Sequence, residues 1–319
     1  GFSQGHQPSC FATKKNGEWQ FKGVGMGHFD RFGSPYSEQY VAQHHLPSEL
    51  IGTPKHISDA FGDAMQETVS KLSSTQKPFY LQLHTYAVHG PVKARPDLKQ
   101  RFTAKGSPQA EYLGFIAGVD QNIKRMLDLL DDPNGDGNHE DSISQNTIIF
   151  FTSDNGGTHS HNRPLKGNKG MLTEGGIRVP TLAWWPKTIK KGSISEEPFY
   201  FGDLMATACE MAGTEMPKIN DSISFIPTLK NTPDNQKFHK YLYWEFYERT
   251  FRQAVIMKDW KLIRSGMDNQ RIELYDLKND IHEDENLVNV HPGIVQRMLS
   301  YMEEAHEPHP NWPTPRQKK

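Results

Sequence analysis

Patterns typical of helices and of buried strands alternate along the first two-thirds of this 319-residue chain. Residues 56–72 place apolar side chains at helical spacing, and the compact apolar run KPFYLQLHTY follows at 77–86. A second helical pattern at 110–132 precedes the run NTIIFFTSD at 146–154. This alternation predicts an α/β fold in which helices flank a mostly parallel central sheet. Ligands bind beyond the carboxyl ends of such strands, so the residues after each run are candidates for function.

Local signals mark where several of these elements begin and end. Ser58 is a good N-cap residue and is predicted to begin the first helix. The run VPTLAWWP at 179–186 predicts a short buried strand that ends at Pro186. The pattern at 201–213 predicts a helix that ends at Gly213, since glycine is common just after a helix.

The sequence pattern changes after about residue 235. Three strand-like segments follow at 240–248, 252–265 and 271–280, the second with a turn at Lys258–Asp259, and residues 292–307 have a helical pattern. Neighbouring strands separated by short turns indicate an antiparallel sheet. We therefore predict a partial α/β domain over residues 1–235 and a small antiparallel sheet-plus-helix subdomain over 236–319.

Composition excludes several classes of partner. The formal net charge of −2 gives no electrostatic basis for binding nucleic acid. No apolar run approaches the ~20 residues of a membrane span. The two cysteines, Cys10 and Cys209, are far apart and lie in no CxxC pair, which indicates packed free thiols and not a zinc site or disulfide framework. The sequence gives no indication of the oligomeric state.

An acid and an amide follow the second apolar run. Asp154 and Asn155 offer the hard oxygen ligands that suit Ca²⁺ or Mg²⁺ better than zinc. Two ligands cannot complete a shell of about six to eight oxygens, so further ligands would come from elsewhere in the fold. The alternative is structural, because Asp-Asn-Gly-Gly also favours a turn that ends a strand.

Basic side chains lie near both candidate loops. Lys169 is surrounded by glycines in KGNKGM and can meet an anionic oxygen as a point charge, whereas Lys166 is a weaker candidate. His89, on the loop after the first apolar run, can donate to an oxyanion or protonate a leaving group. His159 and His161 can line a substrate pocket. Solvated lysines and structural histidines are the alternatives.

Four segments, in order, resemble the sulfatase family of the alkaline-phosphatase-like superfamily. The family segment with the active-site histidine is resembled by KPFYLQLHTYAVHGPVKARPDL, and the metal-binding strand end by NTIIFFTSDNGG. The stretch with the sulfate-contacting lysine is resembled by KGNKGMLTEGGIRVPTLAWWP. The C-terminal strands are resembled by KLIRS with ELYDLKNDIHEDENL. The resemblance covers nearly the whole chain.

The resemblance implies a sulfuric ester hydrolase. It implies one Ca²⁺ ion with Asp154 and Asn155 among its ligands, and a hydrated formylglycine nucleophile made from Cys or Ser. Lys169 would hold a sulfate oxygen, and His89 would contact the bridging side of the ester and protonate the leaving oxygen. The implied partner is a sulfated small molecule or polysaccharide, such as a sulfated carbohydrate or aryl sulfate. The implied location is periplasmic, secreted or lysosomal, although no signal segment is visible.

The chain also departs from the family pattern. The family's nucleophile motif, C/S-x-P-x-R, does not occur, and the early cysteine in PSCFATKK lacks the proline and arginine. The acidic ligands of the family's first strand and a Lys-x-His segment are also absent. The chain resembles the portion after the nucleophile motif, and we expect this chain alone to be catalytically incomplete.

Two other readings stay open at this stage. Phosphate and phosphonate esters present a similar tetrahedral oxyanion, so a hydrolase for those esters on the same scaffold is an alternative. A truncated, non-catalytic binder of sulfated glycans is another.

Overall fold

The computed structural model describes residues 10–21, 30–158, 162–218, 221–248, 250–266 and 271–312. The chain divides into two compact units, Gly1–Thr147 and Ile148–Lys319, and each is described by itself. The predicted domains, 1–235 and 236–319, rest on the change in sequence pattern, and those limits stay a prediction.

The first unit is mainly helical. Its elements are β1 (Thr13–Lys15), β2 (Glu18–Gln20), α1 (Glu38–Gln43), α2 (Ile57–Ser73), α3 (Pro96–Thr103) and α4 (Ala110–Asp131), with 3₁₀ turns at Asp30–Phe32, Ser48–Leu50, His139–Asp141 and Ser144–Asn146. The helix α4 packs against both α2 and α3. Gly114 allows α4 to approach α3 closely, because a Cβ there would lie 2.8 Å from the backbone nitrogen of Lys99.

A histidine caps α2. His56 is the N-cap residue, and its Nδ1 accepts the N–H of Ser58 at 3.2 Å, while Nε2 donates to the carbonyl of Lys93 at 2.8 Å. The prediction of Ser58 as the N-cap is wrong, because Ser58 already lies within the first turn of the helix. The aromatic rings of Phe11 and Phe115 contact the buried imidazole edge-on. Its two nitrogens bond to the Ser58 N–H and the Lys93 carbonyl in place of water.

A buried ion network joins the three longer helices of this unit. The guanidinium of Arg95 lies 2.9 Å from Asp59 of α2 and 2.7 Å from Asp97 of α3. It also donates to the side chain of Gln121 in α4 at 3.0 Å. The planar guanidinium has five donors, and this arrangement uses them to fix the positions of neighbouring helices.

The first apolar run does not form the predicted buried strand. Residues 77–86 have no regular secondary structure, and most of their side chains are exposed, although Tyr86 is buried. A parallel core strand needs hydrogen-bonding neighbours, and no strand among the described residues pairs with this run. The apolar pattern was therefore insufficient, because strand formation depends on partners that the pattern does not specify.

The second unit contains two sheets. Its elements are β3 (Ile149–Thr152), α5 (Glu174–Ile177), β4 (Thr181–Trp184), α6 (Asp203–Ala212), α7 (Ile226–Leu229), β5 (Leu242–Phe246), β6 (Arg252–Met257), β7 (Trp260–Ser265), β8 (Arg271–Asp276) and α8 (Pro292–Ala305), with a 3₁₀ turn at Pro233–Asn235. The strands β3 and β4 pair antiparallel, with Phe150 opposite Ala183. Every strand pair in the described ranges is antiparallel, so the predicted mostly parallel central sheet is not found there.

The predicted C-terminal antiparallel sheet and final helix are confirmed. Strands β5 to β8 pair in sequence order, and Lys258 adopts a left-handed conformation in the predicted turn. The helix α8 covers one face of the sheet, where Met298 and Met302 pack against Leu262 and Leu274 in a fully buried cluster. Within the described parts of the chain, no helix has the length and apolar character needed to span a membrane.

Candidate active site

The predicted acid–amide pair lies just beyond β3. The side chain of Asp154 is exposed and that of Asn155 is half-buried. The hydroxyl of Ser153 donates to the carbonyl of Asn155 at 3.0 Å and closes the turn. Both candidate ligands therefore stand at the carboxyl end of a strand, and the side chain of Asp154 is accessible from solvent.

Glycines allow this turn to pack directly against a second loop. The N–H of Gly156 donates to the carbonyl of Gly176 at 3.0 Å. A Cβ at Gly156 would lie 1.9 Å from the carbonyl oxygen of Gly175, and one at Gly176 would lie 2.1 Å from the carbonyl oxygen of Met171. Such distances exclude any side chain, so the close backbone approach requires glycine at these positions.

Residues 162–176, here called the lysine loop, carry Lys169 beside the turn. The N–H of Lys169 donates to the carbonyl of Gly157 at 2.9 Å. The amide side chain of Asn162 accepts the N–H of Gly157 at 2.7 Å and donates to the same residue's carbonyl at 2.8 Å. Gly157 follows Asn155 closely in sequence, so these hydrogen bonds hold the backbone of Lys169 next to the acid–amide turn. The side chain of Lys169 is exposed.

The other lysine of the loop makes contacts within the protein. The ammonium of Lys166 donates to the main-chain carbonyl of Glu283 at 2.6 Å and lies 5.2 Å from the centre of the Tyr275 ring. These contacts join the loop to the C-terminal part of the unit. That Lys166 also binds substrate stays a prediction.

A buried group that sequence reasoning missed lies at the other end of the loop. Lys261 of β7 places its ammonium 2.9 Å from a carboxylate oxygen of Glu174 and 2.9 Å from one of Glu283. The second oxygen of Glu283 accepts the N–H of Glu174 at 2.8 Å. Burial raises the pKa of the Glu283 carboxyl, and the Lys261 ammonium opposes that rise. The available signal was a lysine within the apolar run WKLI.

His89 lies in the first unit, on the loop after residues 77–86. Its Nδ1 lies 2.7 Å from the carbonyl oxygen of Gly90, which can only accept, so Nδ1 carries the hydrogen. In the neutral ring the other nitrogen, Nε2, is then the proton acceptor. The hydroxyl of Tyr86 donates to the same Gly90 carbonyl at 2.5 Å. These contacts set the tautomer that an acid–base histidine needs.

The acid–amide turn fits part of a Ca²⁺ site. The carboxylate of Asp154 and the amide oxygen of Asn155 are donors of the type that Ca²⁺ prefers, but two donors do not complete its shell. Among the described residues, no group of three or more His, Cys, Asp or Glu side chains is arranged to hold a metal ion. His159 and His161 lie outside the described residues, so their predicted place in a substrate pocket stays a prediction.

Comparison with known families gives a clear assignment. The family model named Sulfatase matches residues 7–214, and the model for the C-terminal region of N-sulphoglucosamine sulphohydrolase matches residues 167–307. The chain belongs to the sulfatase family. The two matches overlap at residues 167–214, which include most of the lysine loop.

Individual sulfatases resemble the chain over different spans. A sulfatase from Formosa agariphila is 33% identical over 304 residues, which cover 86% of this chain and 54% of the relative. The N-acetylgalactosamine-6-sulfatase of Canis lupus familiaris is 28% identical over 194 residues, covering 58% of this chain and 34% of that protein. The chain thus spans about half of the length of the first relative.

Solved structures of related proteins share the fold of this chain. The crystal structure of Ps i-CgsB matches with a TM-score of 0.69 and 27% identity, covering 78% of this chain and 55% of that one. The same protein has also been solved in complex with k-i-k-neocarrahexaose. A phosphonate monoester hydrolase of Agrobacterium radiobacter matches with a TM-score of 0.53 and 19% identity, covering 77% of this chain and 61% of that one, which shows a shared fold alone.

Proposed function

We propose that the protein containing this chain hydrolyses sulfuric esters of carbohydrates. The observation that carries the proposal is the junction of the acid–amide turn with the lysine loop, in a chain of the sulfatase family. This junction places oxygen donors for a cation and a basic side chain on adjacent stretches of backbone. Such a pair can bind the oxygens of a sulfate group and offset the negative charge that develops on them.

The cation in this proposal is Ca²⁺, with Asp154 and Asn155 among its ligands. When bound, the ion supplies a hard positive charge that orients the sulfate oxygens and stabilises their charge. The ammonium of Lys169 contacts another oxygen of the same group. The attacking group in the proposal is a formylglycine, which the 319-residue sequence does not contain, since it has no C/S-x-P-x-R motif.

His89 has a separate role in the proposal. Its Nδ1 hydrogen is committed to the Gly90 carbonyl, so a proton is gained or lost at Nε2. We assign Nε2 of the protonated ring as the donor to the leaving alcohol oxygen. A protonated imidazole can donate this proton to the leaving oxygen and then recover one from solvent.

The relatives favour a carbohydrate as the alcohol part of the ester. The name of the canine relative specifies a sulfate on N-acetylgalactosamine, and Ps i-CgsB has been solved with an oligosaccharide. We extend this substrate class to the present protein as part of the proposal. The family's usual location outside the cytoplasm likewise stays a prediction.

The proposal is tested with the protein that contains this chain. We expect it to release sulfate from sulfated oligosaccharides and 4-nitrophenyl sulfate, and to hydrolyse 4-nitrophenyl phosphate much more slowly. Chelation of Ca²⁺ removes the activity and added Ca²⁺ restores it. Faster hydrolysis of the phosphate ester would favour the phosphate or phosphonate alternative. Retention of sulfated glycans without sulfate release would favour the binding-protein alternative.

A lysine substitution tests the role of the loop directly. We expect Lys169→Ala to lower kcat/KM for the sulfate ester by about 100- to 1,000-fold, comparable with the loss of one oxyanion-stabilising group. The matched control is Lys240→Ala, because Lys240 is an exposed lysine paired with Glu304 in the same unit. An unchanged kcat/KM in Lys169→Ala would contradict the assignment.

A further inference from the structure

We infer that Glu174, Lys261 and Glu283 form a buried positioning triad, which fixes the lysine loop so that Lys169 meets the sulfate group. The inference rests on the proposed function for the role of Lys169, while the fixing of the loop is independent of it. None of the three residues contacts substrate in this inference, so they are positioning residues and not catalytic ones.

The triad connects three separate stretches of chain. Lys261 and Glu283 are fully buried, and Glu174 is 2% exposed. One ammonium bridges two carboxylates, at 2.9 Å from each, and the carboxylate of Glu283 also accepts the main-chain N–H of Glu174 at 2.8 Å. The last contact acts on the backbone at the start of α5, so it holds the end of the lysine loop and not only a side chain.

Lys166, on the other side of Lys169 in the loop, also contacts Glu283. Glu283 has a left-handed conformation, with φ of 56°, and its carbonyl accepts the ammonium of Lys166 at 2.6 Å. Within the loop, the N–H of Gly175 donates to the carbonyl of Lys166 at 2.7 Å. Glu283 therefore contacts the loop on both sides of Lys169, through its carbonyl at Lys166 and through its carboxylate at Glu174.

The charges favour a positional role over a purely stabilising one. Two carboxylates share one buried ammonium, and the further partner of Glu174, the guanidinium of Arg178 at 3.2 Å, is largely exposed. Buried ion groups cost desolvation, and well-packed apolar residues of similar volume are often as stable or more so. Hydrogen bonds and ion pairs are directional, however, and select one arrangement of the loop where apolar contacts tolerate several.

The fixing of the loop is tested by Glu283→Gln. Glutamine keeps an oxygen for the Glu174 N–H but replaces the other by an amide NH₂, which removes the ion pair with Lys261. We expect amide hydrogen exchange across residues 166–176 to become about tenfold faster, with exchange in β6 unchanged. The control is Glu304→Gln, which breaks an exposed ion pair to Lys240 in the same unit. Unchanged exchange in the lysine loop would overturn the inference.

The link to Lys169 is tested by a double variant. If the triad acts through Lys169, Glu283→Gln lowers kcat/KM for a sulfate ester by about 10- to 100-fold in the unaltered protein, as expected for a small misplacement. The same change has little further effect in the Lys169→Ala background. Equal losses in both backgrounds would overturn the positioning role. If no sulfate ester is hydrolysed at all, the proposed function fails, and the exchange measurement still decides whether the triad fixes the loop.

Discussion

The two segments that carry the predicted catalytic side chains are held in different ways. The lysine loop is fixed by partners distant in sequence, since Lys166 and Glu174 both contact residue 283. Around His89 several hydrogen bonds are short-range: its N–H donates to the carbonyl of Tyr86 at 2.9 Å, and the Tyr86 hydroxyl donates to Gly90. The Cys10 thiol also donates to the carbonyl of Pro91 at 3.1 Å.

This difference determines how each segment responds to change. A loop that depends on distant residues loses its position when those residues are altered, even though the loop sequence is intact. A loop that is held by hydrogen bonds between residues close in sequence keeps its local geometry when distant residues are altered. We therefore expect large and remote effects in the second unit, and small and local effects around His89.

The largest effect is expected for Lys261→Met. This change leaves two buried carboxylates without their shared ammonium, and we expect it to lower the free energy of unfolding of the second unit by about 3–5 kcal/mol. Urea-induced unfolding measures the loss, with Lys240→Met as the exposed control. If Lys261→Met lowers the free energy of unfolding no more than Lys240→Met does, the lysine loop does not depend on its distant partners as proposed.

Two glycine substitutions compare the segments directly. Gly156→Ala forces a Cβ against the carbonyl of Gly175, and we expect a loss of about 1–3 kcal/mol together with weaker anion binding at the lysine loop. A Cβ at Gly90 meets nothing within 4 Å, so Gly90→Ala is expected to be nearly neutral for stability. Thermal unfolding of the two variants gives the comparison. Similar losses in both would show that the backbone packing is not the cause.

Mild acid is expected to affect the first unit selectively. Burial lowers the pKa of His56 below its usual value of 6.5, aided by the charge of Arg95 and opposed by Asp59, Asp97 and the hydrogen bond to the Lys93 carbonyl. Above pH 6.5 the ring is neutral in both the folded and unfolded states. As the pH falls below 6.5, the unfolded chain takes up the proton first, so stability decreases towards the lower folded pKa.

The substitution His56→Asn tests the origin of this pH dependence. Asparagine can cap the helix but does not titrate in this range, so the loss of stability between pH 7.5 and 5.5 should be smaller than in the unaltered chain. At pH 7.5, His56→Ala is expected to cost about 1–2 kcal/mol through loss of the cap. Hydrogen exchange in α2 reports the effect, with the lysine loop as the internal reference. An identical pH dependence in His56→Asn would assign the effect to another group.

A small loss of stability is expected for Tyr86→Phe. The substitution removes one hydrogen bond to the Gly90 carbonyl, which still accepts from His89, and we expect a loss of about 0.5–1 kcal/mol. Unfolding in urea and the pH profile of sulfate release check this prediction. A loss as large as that of Gly156→Ala would show that the two segments do not differ as proposed.

Elements with strong local patterns were predictable from the sequence. The apolar periodicity indicated α2, α4 and α8, and Gly213 ends α6 in a left-handed conformation, as predicted. The strands β5 to β8 were also indicated, because each finds its partner nearby in sequence and a two-residue turn at Lys258–Asp259 joins β6 to β7. In these regions the forces that select the structure act between residues that are close in the chain.

The N-cap of α2 was a local error of two residues, whereas the other features that the sequence did not predict depend on long-range partners. Residues 77–86 had the composition of a strand, but strand pairing is a property of two segments and not of one. The turn at Asp154 and the loop at Lys169 were recognised as separate candidates, whereas the glycine contacts that join them were not. The burial of Lys261 had only a weak signal, its place within the apolar run WKLI, because a lysine in a strand is ordinarily directed to solvent.

The contact between Lys166 and Glu283 has a consequence for biosynthesis. The two residues are 117 positions apart, and a ribosome adding about 5–20 residues per second needs about 6–23 s to cover that interval. For most of that time the nascent chain contains every residue of the lysine loop but lacks Glu283, and Lys261 is added only 22 residues before Glu283. The loop is therefore complete in sequence well before Glu283 is present to fix its position.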